Sequence, residues 1–313
     1  MNWCSEVSTR YPNIVKKLGI SIVGAGRIGR ALGRRLREQG WKIHSVVARS
    51  ESTARRAVRS IGGGSGSAEL SRTVFSAPVI LIAVPDSAIP QIVIRLASFG
   101  KSDLQHKTVL HTSGALSSEA LARLHSLGAA VGSIHPLQTF SGIGIPALEG
   151  RIFAIEGDPA AVRVARSIAR ALGGQPIQLA ASLKPLYHAA AAISAGHMLA
   201  LEEMAVQIFS AVGMKRREAL KAALPLTRQV LENLERVGPR AAWTGPLARA
   251  DYSVIAMHED ALKLLPLEYL DAYSAVNRLA ARVLARDPHA VLRELSSISS
   301  KLSSQLKSTG ATA

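Results

Sequence analysis

The stretch Ile20–Gly29, I-S-I-V-G-A-G-R-I-G, constrains this chain more than any other. A short run of strand formers (Ile20, Ile22, Val23) leads into G-x-G-x-x-G at Gly24, Gly26 and Gly29, and residues 30–39 can be helical. In a strand–turn–helix unit the first glycine permits a sharp turn and the second lets the backbone approach a pyrophosphate. The third lets the helix pack close to the strand. Phosphates then meet the free N–H groups and positive dipole end of the helix. The same spacing also fits an ordinary tight strand–helix turn. Its place between a strand pattern and a helix pattern points to a dinucleotide site formed by Gly24, Ala25, Gly26, Arg27, Ile28 and Gly29.

The end of the second strand indicates which dinucleotide. Lys42–Val47 reads as that strand, and it ends in Ala48-Arg49-Ser50. A site for NAD carries Asp or Glu about 20 residues beyond the glycines, bonded to the ribose 2′-hydroxyl. Arg49 stands there instead, with Ser50, Arg55 and Arg56 following. A guanidinium pairs with a 2′-phosphate, so Arg49 and Ser50 point to NADP. The plainer alternative is an exposed, basic helix start.

Further strands are expected at Pro78–Val84, Thr108–His111, Ala130–Ile134, Arg151–Glu156 and Gln175–Leu179. Helices are expected at 52–61, 117–126 and 159–172, and Gly62–Gly66 reads as a flexible loop. Pro78–Val84 is continuously apolar, as in a parallel strand covered on both faces. Three successive strands end in turn or polar residues: Val84-Pro85-Asp86, His111-Thr112-Ser113-Gly114 and His135-Pro136. Ligands of open α/β sheets bind at that carboxyl edge, so Val84, Pro85, Thr112 and Ser113 are taken as further cofactor contacts. After Ala180 the pattern is helical, with joints expected at Gly213, Pro225, Gly238-Pro239, Gly245-Pro246, Pro266 and Pro288, and a Ser-rich tail at 296–313 expected to fray. The predicted fold is an α/β Rossmann domain over residues 1–181, with a mostly parallel doubly wound sheet, followed by an all-α domain over 182–313.

Composition narrows the partners. A formal charge of +16 invites a nucleic-acid reading. However, the basic residues are spread along the chain, aromatics make up only 4%, and no zinc-finger or RNA-recognition motif occurs. No nucleic-acid partner is therefore expected, and the charge suits anionic small molecules. The single cysteine, Cys4, excludes an internal disulfide and fits a reducing compartment. The N-terminus lacks an apolar signal core. The longest apolar stretch, 186–212, contains His188, His197, Glu202 and Glu203, so no membrane span is expected and the location is read as cytoplasmic. No H-E-x-x-H, C-x-x-C or G-x-S-x-G occurs, so neither metal nor serine-hydrolase chemistry is expected.

Candidate chemistry gathers in K-P-L-Y-H-A-A-A. Lys184 and His188 are four apart, hence one turn apart on one helix face, and Ala191, Ala192 and Ala195 continue that face. His197 lies nine residues beyond His188, about 900° in an α-helix, so it reads as structural. Lys184, His188 and His135 are the candidate catalytic residues; their plain alternative is a helix-start lysine and two hydrogen-bonded histidines. Arg249 and Asp251 are candidate substrate contacts, Arg249 as a bidentate carboxylate clamp, or else a pair bracing a helix start.

With both halves in view, the chain resembles the Rossmann-like oxidoreductases that carry the C-terminal domain called DUF2520, within the 6-phosphogluconate dehydrogenase-like superfamily. That superfamily includes ketopantoate reductase and pyrroline-5-carboxylate reductase. The matching stretches are G-A-G-R-I-G at Gly24, H-T-S-G-A-L-S-S-E at His111, H-P-L-Q-T-F at His135, K-P-L-Y-H-A-A-A at Lys184 and T-G-P-L-A-R-A-D at Thr244. The resemblance implies a nicotinamide oxidoreductase that dimerises through its helical domain. Gly196 departs from the pattern, standing where an asparagine is expected. The sequence thus reads as an NADP-dependent reductase of a C=O bond in a small anionic metabolite, with a 2-oxo acid of the ketopantoate type favoured. The rivals are an imine reductase of the pyrroline-5-carboxylate type and a non-catalytic NADPH sensor.

Overall fold

A computed structural model describes residues 18–309. The polar N-terminal extension and Cys4 lie outside them. Chain order runs β1 (Ile20–Val23), α1 (Arg27–Glu38), β2 (Ile43–Val47), α2 (Glu51–Ile61), β3 (Ser65–Ser67), β4 (Val79–Ile82), α3 (Ile89–Ala97), α4 (Lys101–Leu104), β5 (Thr108–His111) and α5 (Ala122–His125). It continues through β6 (Ala130–Pro136), β7 (Ile152–Gly157), α6 (Pro159–Ala171), β8 (Gln175–Gln178) and α7 (Lys184–Ala192). Eight strands form one sheet in the order β3-β2-β1-β4-β5-β6-β7-β8. Every neighbouring pair is parallel except β6 and β7. The strand order reverses beside β1, which puts a ligand crevice at the carboxyl ends of β1 and β4.

The central strands are buried on both faces: every residue of β1, Ser21 included, and of the unbroken apolar run β4 is buried. One core joins Ile20, Ile22, Leu32, Ile61, Phe153 and Ile168 under α1, α2 and α6. The other joins Val23, Ile82, Ile89, Val109 and Leu124 under α3 and α5.

The remaining helices are α8 (Met198–Ala211), α9 (Arg216–Val237), α10 (Pro239–Ala242), α11 (Tyr252–Leu262), α12 (Leu267–Leu284) and α13 (Pro288–Thr309). The chain divides into two compact units between Ala195 and Gly196, so α7 clusters with the sheet. That division falls inside a π-helical turn, Ile193–His197. The second unit holds two small clusters, one around Val206, Ala219 and Ala223 and one around Leu247, Ile255, Ala281 and Leu295.

Several local readings are corrected. Gly62–Gly66 is not simply a loop, because Ser65–Ser67 pairs in parallel with Ser45–Val47 as the edge strand. No β-branched residue marks it; Gly66 is there because a Cβ would press on the Ala54 backbone of α2 at 3.1 Å. Pro225 is not a joint but lies inside α9, which forgoes one backbone bond and continues. The tail remains helical to Thr309. The rotation argument for His197 fails, because the π turn changes the phase between it and His188; its side chain is exposed.

Candidate functional site

Three glycines organise the β1–α1 turn, for different reasons. Gly24 has φ +113°, and a Cβ there would overlap the Ala83 carbonyl. A Cβ on Gly29 would overlap the Gly24 carbonyl and lie 3.2 Å from Ala83 Cβ. The fold itself therefore requires both. Gly26 differs. Its φ of −69° suits any residue, and the nearest atom to an added Cβ is the Ala83 carbonyl oxygen at 3.9 Å. It is also the N-cap of α1, with no side-chain cap and no acid in the first turn. The open space over Gly26 and the free helix start fit a pyrophosphate. Arg27 reaches sideways, donating to the Phe140 carbonyl at 3.3 Å, while Ala25 and Ile28 are half-buried beside the core.

At the end of β2, Arg49 is exposed and makes no hydrogen bond or ion pair with the described residues. Ser50 caps α2, its Oγ accepting from Thr53 N at 3.3 Å. Val84 and Pro85 follow β4, and Thr112 extends the ladder by donating from its N–H to the Ile82 carbonyl at 3.1 Å.

The carboxyl ends of β5 and β6 carry a polar network closed by α7. Lys184 opens α7 with φ −58° and ψ −42°, a helical conformation normally disfavoured before proline. Its side chain anchors it there. Nζ donates to Ser133 Oγ at 2.7 Å and to the Ser113 carbonyl at 3.0 Å, and the residue is 1% exposed. Ser113 is the hub. Its Oγ donates to Asp86 Oδ2 at 2.7 Å and accepts from Leu116 N at 2.9 Å. Its N–H donates to His111 Nδ1 at 3.2 Å. His111 Nε2 then donates to the Ser117 carbonyl at 3.0 Å, which fixes the neutral tautomer of this buried ring.

About one turn further along α7, His188 meets His135, with ring centroids 5.6 Å apart and planes at 76°. His135 Nδ1 is bonded to the Tyr187 hydroxyl at 2.9 Å. Gly114 makes this approach possible, because a Cβ there would overlap His188 and stand 2.9 Å from His135 Nε2. Burial sets the charges. It lowers the His111 pKa to about 4, helped by Lys184, and that of His135 to about 4, helped by His188 and Lys184. It lowers Lys184 to about 8 against the upward pull of Glu156 and Asp86, and raises Tyr187 to about 12. Near neutral pH Lys184 is therefore an ammonium, the His111 and His135 rings are neutral and the Tyr187 phenol is protonated.

The structure thus gathers Lys184, His188, His135, Ser113 and Thr112 at one sheet edge. Arg249 and Asp251 belong to the second unit, where they pair with each other at 3.1 Å at the start of α11. Sequence reasoning missed Tyr187, although its i+3 spacing from Lys184 was a readable sign. It also missed Ser133 and Glu156, which only the antiparallel pairing of β6 and β7 brings together.

The family models divide the chain at a different place, within the first compact unit. A Rossmann-like domain matches residues 8–136, and the domain of unknown function DUF2520 matches residues 151–280. The chain thus combines a segment that matches a Rossmann-like domain with one that matches DUF2520. The joint between the two matches falls between β6 and β7, where the sheet changes from parallel to antiparallel. Asp86, Ser113 and His135 therefore come from the Rossmann-like segment, and Glu156, Lys184, Tyr187 and His188 from DUF2520. No curated protein sequence matches the chain. Among solved structures, protein TM1727 from Thermotoga maritima is similar at 24% identity with a TM-score of 0.65, covering 84% of this chain and 97% of that one. An imine reductase from Pseudomonas sp. is similar at 20% identity and TM-score 0.63, covering 89% and 99%. A reductive aminase from Aspergillus terreus, solved with NADPH and ethyl-5-oxohexanoate, is similar at 17% and 0.63, covering 85% and 94%. These likenesses show a shared fold.

Proposed function

We propose that this protein is a cytoplasmic NADP-dependent oxidoreductase that reduces the C=O bond of a small anionic metabolite, a 2-oxo acid of the ketopantoate type being favoured. The carrying observation is Gly26: nothing in the fold requires a glycine there, and a closely approaching pyrophosphate does. Gly24–Gly29 would hold the pyrophosphate, Arg49 and Ser50 the 2′-phosphate, and Val84, Pro85, Thr112 and Ser113 the nicotinamide end. When bound, NADPH supplies the hydride. Reduction leaves negative charge on the substrate oxygen. Lys184 supplies fixed positive charge beneath that edge, and the imidazoles of His188 and His135, backed by the Tyr187 hydroxyl, can carry a proton to it. Arg249 remains a candidate carboxylate clamp, with Asp251 holding its guanidinium.

A C=N acceptor is the second reading, supported by the imine reductase and reductive aminase among the structural neighbours. We further infer a homodimer through the helical unit. Its buried clusters are small, while Leu199, Leu201, Leu226, Val230, Leu231 and Leu234 are exposed along α8 and α9, an apolar surface of the kind that marks interfaces. Light scattering showing a 33.1 kDa monomer at micromolar concentration would remove the dimer. No helix among the described residues is long and apolar enough to cross a membrane.

NADPH oxidation across a panel of 2-oxo acids and cyclic imines tests the assignment. Turnover of oxo acids supports the first reading and turnover of imines alone the second. NADPH binding without any turnover would replace both with a sensor. In the active case His188→Ala and Lys184→Ala should each lower kcat by about 10²–10⁴ with NADPH affinity nearly unchanged.

A further inference from the structure

A buried ammonium must be compensated by acceptors and by negative charge. Lys184 has two acceptors, Ser133 Oγ and the Ser113 carbonyl, both neutral. The charge lies one bond further. Ser133 and Glu156 are directly opposed in the antiparallel β6–β7 register, so their side chains share a face. Ser133 Oγ donates to Glu156 Oε2 at 3.4 Å. Glu156 is 7% exposed and also receives Ser118 N at 2.8 Å and Ser118 Oγ at 2.6 Å. All three of these partners donate to it, as an ionised carboxylate requires. The Ser133 hydroxyl is likewise directed: it accepts from the ammonium, so its own proton is free to point at Glu156.

We infer that Glu156 is the counter-ion of Lys184, acting through Ser133, and that this serine-bridged pair is the positioning unit that fixes the first turn of α7 over the sheet edge. Tyr187 and His188, one turn further on, are held against His135 by the same anchor. Lys184 commits two of its three protons to protein acceptors, so its part is to hold charge in place. Other groups face the same lysine: Asp86 from the β4–α3 turn, His111 from β5 and His135 from β6, with His188 on its own helix behind His135. Asp86 is the only other carboxylate among them. It is exposed and bonds to Ser113 Oγ, not to the ammonium or to Ser133.

The test is a pH titration of protein labelled with 13C at the lysine Cε, with Lys184→Met used to identify the Lys184 signal. That signal should titrate near 8, well apart from exposed lysines near about 10.4. Glu156→Gln should lower its midpoint by about one unit or more, while Asp86→Asn should lower it less. An unmoved midpoint in Glu156→Gln, or a larger effect from Asp86→Asn, would overturn the assignment. If Glu156→Gln does not fold, Ser133→Ala removes the bridge and keeps both charges. Its Lys184 midpoint should also fall, and an unchanged one would overturn the bridged pair. The inference depends on the proposed reductase only for what Lys184 is positioned to do. The titration needs neither cofactor nor substrate, so its failure and a failed turnover assay are separate results. In the active enzyme Glu156→Gln should shift the basic limb of the kcat profile to lower pH and leave the NADPH dissociation constant unchanged, a split that general loosening of the fold would not give.

Discussion

Gly26→Ala and Gly29→Ala are the same chemical change, three residues apart, and should fail in opposite ways. At Gly26 the added methyl meets only the Ala83 carbonyl oxygen at 3.9 Å, an ordinary contact, in a backbone conformation that alanine adopts freely. Alanine is a poorer N-cap than glycine, at a cost of about 1 kcal/mol. The stiffer unfolded chain returns about 0.4–1 kcal/mol. Net stability should therefore change by less than about 1 kcal/mol, a melting shift within about 4 °C. At Gly29 the methyl overlaps the Gly24 carbonyl and crowds Ala83 Cβ at 3.2 Å. Overpacking of that kind costs about 1–3 kcal/mol or more, exceeding the roughly 1 kcal/mol that alanine gains inside a helix. Binding should show the reverse emphasis. The Gly26 methyl fills the space through which a pyrophosphate approaches, and each charge-assisted bond lost is worth about 1.5–3 kcal/mol, or about 10–100-fold in affinity. Calorimetric titration with NADPH, paired with thermal melts, separates the two. Parental NADPH affinity in Gly26→Ala, or a melting point as depressed as that of Gly29→Ala, would refute the reasoning.

Three further outcomes follow from other parts of the molecule. NADPH should bind more tightly than NADH, and Arg49→Asp should shrink the gap by about one to two decades; equal dissociation constants in the parent would remove the NADP assignment. His111 titrates near 4 in the fold and near about 6.5 when unfolded. Between those values the unfolded chain binds more protons, so stability should fall as pH falls through that window, by about 3 kcal/mol from this group when complete. Urea midpoints followed with pH should flatten there in His111→Asn, and an unaltered slope would contradict it. In the second unit Ala250 holds φ +59°, a left-handed conformation that is unfavourable for a residue with a Cβ. Ala250→Gly should stabilise by about 1 kcal/mol, read as a higher urea midpoint; a lower one would contradict it.

The parts of this fold most legible in the sequence are those where one local pattern dictates one structure. The strand formers before Gly24 and the apolar run Pro78–Val84 read as strands, and they form the buried parallel strands β1 and β4. The place of Arg49, exposed just beyond the end of β2, could be found by counting from the glycines. Lys184 and His188 could be placed on one helix face by their spacing. What remained hidden depends on long-range pairing. Ser65–Ser67 has no strand propensity and pairs because Gly66 lets α2 lie against it. Glu156 reads as the end of an ordinary strand until the antiparallel register sets it opposite Ser133. The π turn at Ile193–His197 defeats an argument that assumes 3.6 residues per turn. The sharing of the Lys184 ammonium between β5 and β6 carries no sequence signature at all.

The most direct test of the central claim is a crystal structure of the protein with NADPH. The pyrophosphate should lie on the N–H groups at the start of α1 over Gly26, the 2′-phosphate on Arg49, and the reactive face of the nicotinamide toward His135 and His188. A dinucleotide bound with its 2′-phosphate away from Arg49, or with its nicotinamide away from those two histidines, would contradict the account.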